Sequence, residues 1–195
     1  MTSKILAFAG SLRTQSSNKC LLKIAAAGAT EAGAEVTVVD LRDFPLPLYD
    51  GDLEASDGVP APAREFRELL LANEGFLIAC PEYNGSVSAV LKNMLDWTSR
   101  PIDGQDSLLP YKRKLVALAG TSVSPYGAVR AIGHLRGIMS KMGATVLGEE
   151  VTVPFAAQAF SDTGELVNPA LQALAKQLGA NLALATKNLN AAAVN

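Results

Sequence analysis

Ser11, Arg13, Ser16, Ser17 and Asn18 crowd the stretch SLRTQSSN, directly after the apolar run Ile5–Ala9 and Gly10. Short hydroxyl and amide side chains with one guanidinium suit an anion, above all where a helix begins. A helix start presents unpaired N–H groups and a partial positive charge, and the arginine fork matches phosphate oxygens. N-capping accounts for one such Ser or Asn, but not for the whole set. Neither G-x-G-x-x-G nor G-x-x-x-x-G-K-[ST] occurs, so this is not a dinucleotide fingerprint or a P-loop.

A second stretch, Pro81-Glu82-Tyr83-Asn84-Gly85-Ser86, follows another apolar run, Phe76–Cys80. Asn84 and Gly85 suit a tight turn with positive φ, whose amides can meet the polar edge of a flat ring. Tyr83 can lie beside such a ring, or simply pack half-buried. Ser86 is placed to cap the next helix. Glu82 reads as a solvated charge or a contact to a neighbouring subunit rather than as an acid or base. A third polar stretch, Gly120–Gly127, contains Ser122 and follows Leu115–Ala119.

The elements that position these stretches alternate. Apolar runs at Ile5–Ala9, Val36–Val39, Phe76–Cys80, Leu115–Ala119 and within Thr145–Pro154 show no polar alternation, as expected of strands covered on both faces. Helical stripes lie between and after them: Leu21, Leu22, Ile24 and Ala25; Phe66, Leu69 and Leu70; Val87, Val90, Leu91, Met94 and Leu95; Val129, Ile132, Leu135, Ile138, Met139 and Met142; Leu171, Leu174, Leu178 and Leu182. Gly143 is placed to end the fourth. The pattern predicts a single α/β domain over 1–195: a flavodoxin-like sandwich with a parallel five-stranded sheet in the order 2-1-3-4-5 and helices on both faces. Ligands then bind at the carboxyl ends of strands 1 and 3, where the winding reverses, which is where the first two polar stretches fall.

Composition narrows the partners. A net charge of −2 gives no general drive toward nucleic acid or anionic membrane. The densest basic cluster, Lys112-Arg113-Lys114, reads as a solvated approach to a strand. No stretch is apolar enough for a membrane span. Cys20 and Cys80, expected to be buried, lack metal-like spacing. A reducing, cytoplasmic setting follows, and the tail NLNAAAVN is expected to fray.

Phosphate on one loop and a planar heterocycle on the next describe FMN better than NAD or ATP. At these residues the chain also resembles a family, the NAD(P)H-dependent FMN reductases, which includes quinone, azo-dye and chromate reductases. SLRTQSSN is similar to its S-x-R-x-x-S-x-N element. PEYNGSVSAVLKNMLDWTSRP is similar to its P-E-Y-N-x-S element followed by L-K-N-x-x-D-W-x-S-R. The chain departs from many relatives at Ser88-Ala89, where they carry Pro-Gly, and at Gly133, where they carry an aromatic. The resemblance implies phosphate at Ser11, Arg13, Ser16, Ser17 and Asn18, the flavin ring at Pro81, Glu82, Tyr83, Asn84 and Gly85, and Ser122 closing the other side.

It also implies a cycle in which NADPH or NADH passes a hydride to FMN N5 and leaves. A small-molecule acceptor such as a quinone, azo compound, free flavin or metal oxyanion of the chromate type then takes its place. His134, the sole histidine, is expected on a helix surface or interface, with Trp97 and Asp96 packing at a dimer contact. The long connections Leu41–Pro62 and Pro154–Pro169 suggest lids or subunit contacts, and Phe44, Leu46, Leu48 and Tyr49 form a costly patch if left in water. A homodimer or homotetramer is expected. A flavodoxin-type electron carrier, or a non-redox protein on the same fold, is the alternative.

Overall fold

The strands alternate in size rather than in polarity. Ala7, Ala9, Ala79, Ala117 and Ala119 point to one side of the sheet; Leu6, Phe8, Phe76, Ile78 and Leu118 point to the other. A computed structural model describing residues 2–192 shows how this works. In chain order the elements are β1 (Lys4–Ala9), α1 (Ser17–Glu31), β2 (Glu35–Asp40), a 3-10 turn (Leu41–Asp43), α2 (Gly51–Asp57), α3 (Ala61–Ala72), β3 (Gly75–Ala79), α4 (Ala89–Thr98), β4 (Leu115–Thr121), α5 (Val129–Lys141), β5 (Thr145–Val153), α6 (Ala156–Ala159) and α7 (Pro169–Ala192). All strand pairs are parallel and the order is β2-β1-β3-β4-β5, as expected. The alanine face takes α1 and α7; the large-residue face takes α3, α4 and α5.

Small residues let α1 and α7 ride close to the sheet and to each other. A Cβ on Gly28 would lie 2.0 Å from the Lys176 carbonyl oxygen, and one on Gly179 would lie 1.8 Å from that of Ala25. Each glycine therefore admits the partner's backbone. This corrects the stripe expected on α7: Leu178 and Leu182 are buried, but Leu174 is 56% exposed and Ala175 takes the inner position. Gly143, at φ +90°, ends α5 as expected. The tail does not fray at Asn188, because α7 runs to Ala192; residues 193–195 lie outside the described part.

The long connections are not bare loops, since α2 and α6 lie within them. The feared patch is mostly dissolved as well. Phe44 packs edge-on against Phe66 at 5.2 Å, Leu46 is half-buried, and only Leu48 remains strongly exposed. The Pro47 carbonyl accepts bonds from the Asn93 amide and the Trp97 indole, both 2.8 Å, and Asn93 also accepts from the Tyr49 N–H. Trp97 is thus a buried latch for this segment rather than a surface contact, while Asp96 pairs with Lys92 on the surface of α4. Lys114 is not solvated either: its ammonium donates to the carbonyls of Leu71 and Asn73, and burial lowers its pKa. Cys80 is fully buried, which pushes its thiol up to about 12, whereas Cys20 is only half-buried.

Replacing a mid-helix glycine by alanine ordinarily stabilises by up to ~1 kcal/mol. At the α1–α7 crossing the sign reverses: Gly28→Ala is expected to cost ~1–3 kcal/mol through overpacking, read as a lower urea midpoint at unchanged slope.

Candidate functional site

The carboxyl ends of β1, β3 and β4 carry the three polar stretches, and hydrogen bonds lock them together. The first leaves β1 at Gly10, whose N–H donates to the Ala79 carbonyl at 2.9 Å and whose carbonyl accepts from Ser88 Oγ at 2.6 Å. A Cβ here would lie 2.9 Å from that of Leu91, so only glycine lets this backbone pass against α4. The chain then enters α1 through Ser16, which occupies the N-cap position yet makes no side-chain capping bond. The N–H groups of Ser17 and Asn18 therefore keep the unmet donor capacity of a helix start, while that of Lys19 donates to the Ser16 carbonyl at 2.9 Å. Ser11, Ser16 and Asn18 are buried, while Arg13 is exposed and its guanidinium has no protein partner among the described residues.

Asn18 is braced rather than free. Its amide donates to the Thr121 carbonyl and accepts from the Thr121 N–H, both at 3.0 Å. The side chain thus ties α1 to the tip of β4, and only its backbone amide remains for a ligand.

The second stretch is a two-residue hairpin turn. Tyr83 and Ser86 exchange backbone bonds of 3.0 and 3.1 Å, with Asn84 at φ +51° and Gly85 at φ +77°. That is the geometry Asn-Gly favours, and it leaves the Asn84 and Gly85 amides outside the turn's own bonds. Tyr83 is 52% exposed, half-buried as considered from sequence, with its ring at the edge of the cleft. Ser86 does not cap the following helix: Ser88 does, accepting from the Leu91 N–H at 3.4 Å. Ser86 Oγ instead pairs with His134 Nδ1 at 3.0 Å on the surface of α5.

Glu82 is the largest departure from expectation. It is not a solvated charge: its side chain is only 3% exposed and accepts from the Arg130 guanidinium and from the N–H groups of Arg130 and Ala131, at 3.1 and 3.3 Å. Those amides open α5, whose N-cap Ala128 is left-handed and has no capping side chain. Glu82 is the missing cap, supplied across the sheet edge. Burial pushes its pKa up, but the bonds from Arg130 and the α5 amides outweigh this and hold it below its ordinary 4.5. Arg130 in turn lies 4.5 Å over the Tyr126 ring.

The third stretch closes the cleft. Ser122 donates its N–H to the Val153 carbonyl at 3.3 Å and accepts from the Ala156 N–H at 3.0 Å. Phe155, next in line, has φ +51°, an outlier for a bulky residue, and is 51% exposed.

Ser11, Arg13, Ser16, Ser17, Asn18, Pro81, Glu82, Tyr83 and Ser122 thus line one cleft of about 180 Å³. Thr121, Val123 and Ala156 join them; the first two belong to the third polar stretch, beside Ser122, and sequence reasoning passed over Ala156 alone. Ala156 is apolar and follows β5, outside every polar stretch, so it carries no local chemical signal. Neither Asn84 nor Gly85 lines this cleft: Asn84 faces a groove between α4 and α5, and Gly85 lies beside the Arg130 side chain. The cleft pairs an uncapped helix start and a free guanidinium with the Tyr83 phenol. That donor set fits a phosphate monoester joined to a flat polar ring.

Known proteins resemble the chain throughout. Residues 3–158 match the family described as NADPH-dependent FMN reductase. An NAD(P)H-dependent FMN reductase of Pseudomonas aeruginosa is 35% identical over 89% of this chain and 90% of its own. A 2-hydroxy-1,4-benzoquinone reductase of a Burkholderia species is 38% identical over 76% of each chain. Among solved structures, the flavoenzyme NAD(P)H:(acceptor) oxidoreductase FerB from Paracoccus denitrificans superposes with a TM-score of 0.79 at 25% identity, covering 96% of this chain and 98% of its own.

Glu82→Gln is expected to cost ~1–3 kcal/mol at neutral pH, because a charged acceptor is lost from a buried network. Since folding depresses the Glu82 pKa, its contribution is full above about pH 4.5 and is lost as pH falls through the depressed value. The gap between wild type and variant in urea melts should therefore close below that range.

Proposed function

The chain belongs to the NADPH-dependent FMN reductase family, and on that premise we propose that its cleft holds FMN and that the protein reduces small electron acceptors with NAD(P)H. The observation that carries the reading is the start of α1: an N-cap serine without a capping bond, beside an unpaired Arg13. Backbone amides of Ser17 and Asn18, the hydroxyls of Ser11, Ser16 and Ser17, and the Arg13 fork hold the phosphate. The ring extends beyond the lining of the cleft to the turn after β3, where the Asn84 and Gly85 amides meet its polar edge; Tyr83 covers it, and Ser122 and its neighbours border the other side.

FMN, when bound, would supply the two-electron redox chemistry that links NADPH or NADH to the acceptor. The protein's work is to orient and to exclude water. Exposed Tyr83, Val123, Tyr126 and Phe155 give the mouth of the cleft an apolar rim on which a planar acceptor can stack. Quinones suit that rim best, and two-electron reduction of azo compounds, free flavin or chromate-type oxyanions uses the same open face. Glu82 and Asn18 act as braces, not as proton carriers.

We also assign a homodimer, or a dimer of two such dimers, working in the cytoplasm. The support is a groove of about 1100 Å³ between α4 and α5, floored by Val87, Leu95, Ile138 and Met142 and continuous with Tyr83 and Asn84. Gly133 and Gly137 leave open space along it. Both cysteines are free, and no described helix is long and apolar enough to cross a membrane.

Anaerobic addition of NADPH to the FMN-loaded protein should bleach the flavin, and a quinone should restore the yellow colour; a protein that stays yellow is an electron carrier. Arg13→Ala should weaken FMN binding ~10–100-fold, as expected for loss of a charge-assisted phosphate contact, measured by quenching of flavin fluorescence. Gly137→Arg, which fills the groove, should shift sedimentation toward the monomer.

A further inference from the structure

On the other side of the phosphate loop from Tyr83, toward the β2 edge of the sheet, lies a second cavity of about 480 Å³. It opens between α1 and the carboxyl end of β2, and Ser16 borders both this cavity and the phosphate cleft. Its cations are Lys19, Lys23 and Arg42; its carboxylates are Asp40 and Asp43, leaving one net positive charge.

Those charges are unevenly spent. Asp40 is held by Lys19 at 2.6 Å and by Arg42 at 3.0 Å. Arg42 gives a further bond to the Thr14 hydroxyl at 3.0 Å, which leaves part of its five-donor fork unused. Lys23 is exposed and makes no ion pair among the described residues. The floor is apolar: Val38, half exposed on the sheet, and Phe44 beside it. A flat base can lie there while an anion meets the cations.

A 2′-phosphate differs from a free 2′-hydroxyl by its charge, which an arginine fork and a lysine ammonium can take up. Of the two lining carboxylates Asp40 is already engaged, while Asp43 makes no ion pair among the described residues. Asp40 is bonded by both neighbouring cations and, although burial opposes it, they hold its carboxyl down at about 2. It is not open to a 2′-hydroxyl, whereas Arg42 and Lys23 have donors to give. We propose that this cavity takes the 2′-phosphoadenosine end of NADPH, with Arg42 and Lys23 as the residues that select NADPH over NADH. The proposal rests on the reductase reading and names the end of the co-substrate remote from its nicotinamide.

Isothermal titration of the FMN-loaded protein with 2′,5′-ADP and with 5′-ADP tests it. Wild type should bind 2′,5′-ADP ~10-fold or more tightly than 5′-ADP, the worth of one charged hydrogen bond or more. Lys23→Ala and Arg42→Ala should each shrink that advantage and raise the ratio of the KM for NADPH to the KM for NADH. Lys23→Ala breaks no ion pair, so its effect is separable from misfolding. Equal affinity for the two nucleotides in wild type, or an advantage that survives the double variant, overturns the proposal. FMN uptake is measured on the same samples: its absence overturns the reductase reading and this one with it, whereas normal uptake without nucleotide preference overturns only this one.

Discussion

Burying a carboxylate is costly unless its lone pairs are met, and the site is organised around how Glu82 meets that demand. Its oxygens take the first amides of α5 and the Arg130 guanidinium, so the turn after β3 cannot move without uncapping a helix. Asn18 does the corresponding work between α1 and β4, and Ser88 between α4 and the loop after β1. Three connections that would otherwise wander are tied pairwise. A ligand arriving at such a cleft loses little affinity to ordering the protein, because the ordering is already done.

This bracing separates two kinds of residue that look alike in a sequence. Ser11, Arg13 and Ser16 point donors into the cleft; Glu82 and the Asn18 side chain face it but are committed to protein partners. Much of what makes the chain resemble its relatives is bracing too. In LKNMLDWTSR, Asn93 and Trp97 hold the Pro47 segment against α4 and touch no part of the cleft. The motif is informative about the family because it fixes the scaffold on which the turn sits.

Sheet order and the position of the cleft were legible in the sequence because both follow from local signals: uninterrupted apolar strands, helical periodicity and polar residues after strands 1 and 3. What was not legible depends on distance along the chain. Glu82 and Arg130 are 48 residues apart, and no local pattern pairs them. Ser86 and Ser88 are equivalent as capping candidates until the turn consumes the first. Leu174 fits the helical period but faces outward, since the α7 contact surface is set by backbone approach at Gly179 rather than by its largest side chains. Lys114 reads as surface in a run of three basic residues, and only the fold brings two carbonyls to it.

The glycine crossing of α1 and α7 also sets what the cleft stands on. The helix whose start faces the cleft is seated along its far half by Pro169–Ala192, a segment distant in sequence. Were that wall removed, the start of α1, with its uncapped amides, would sit on a helix held against the sheet alone.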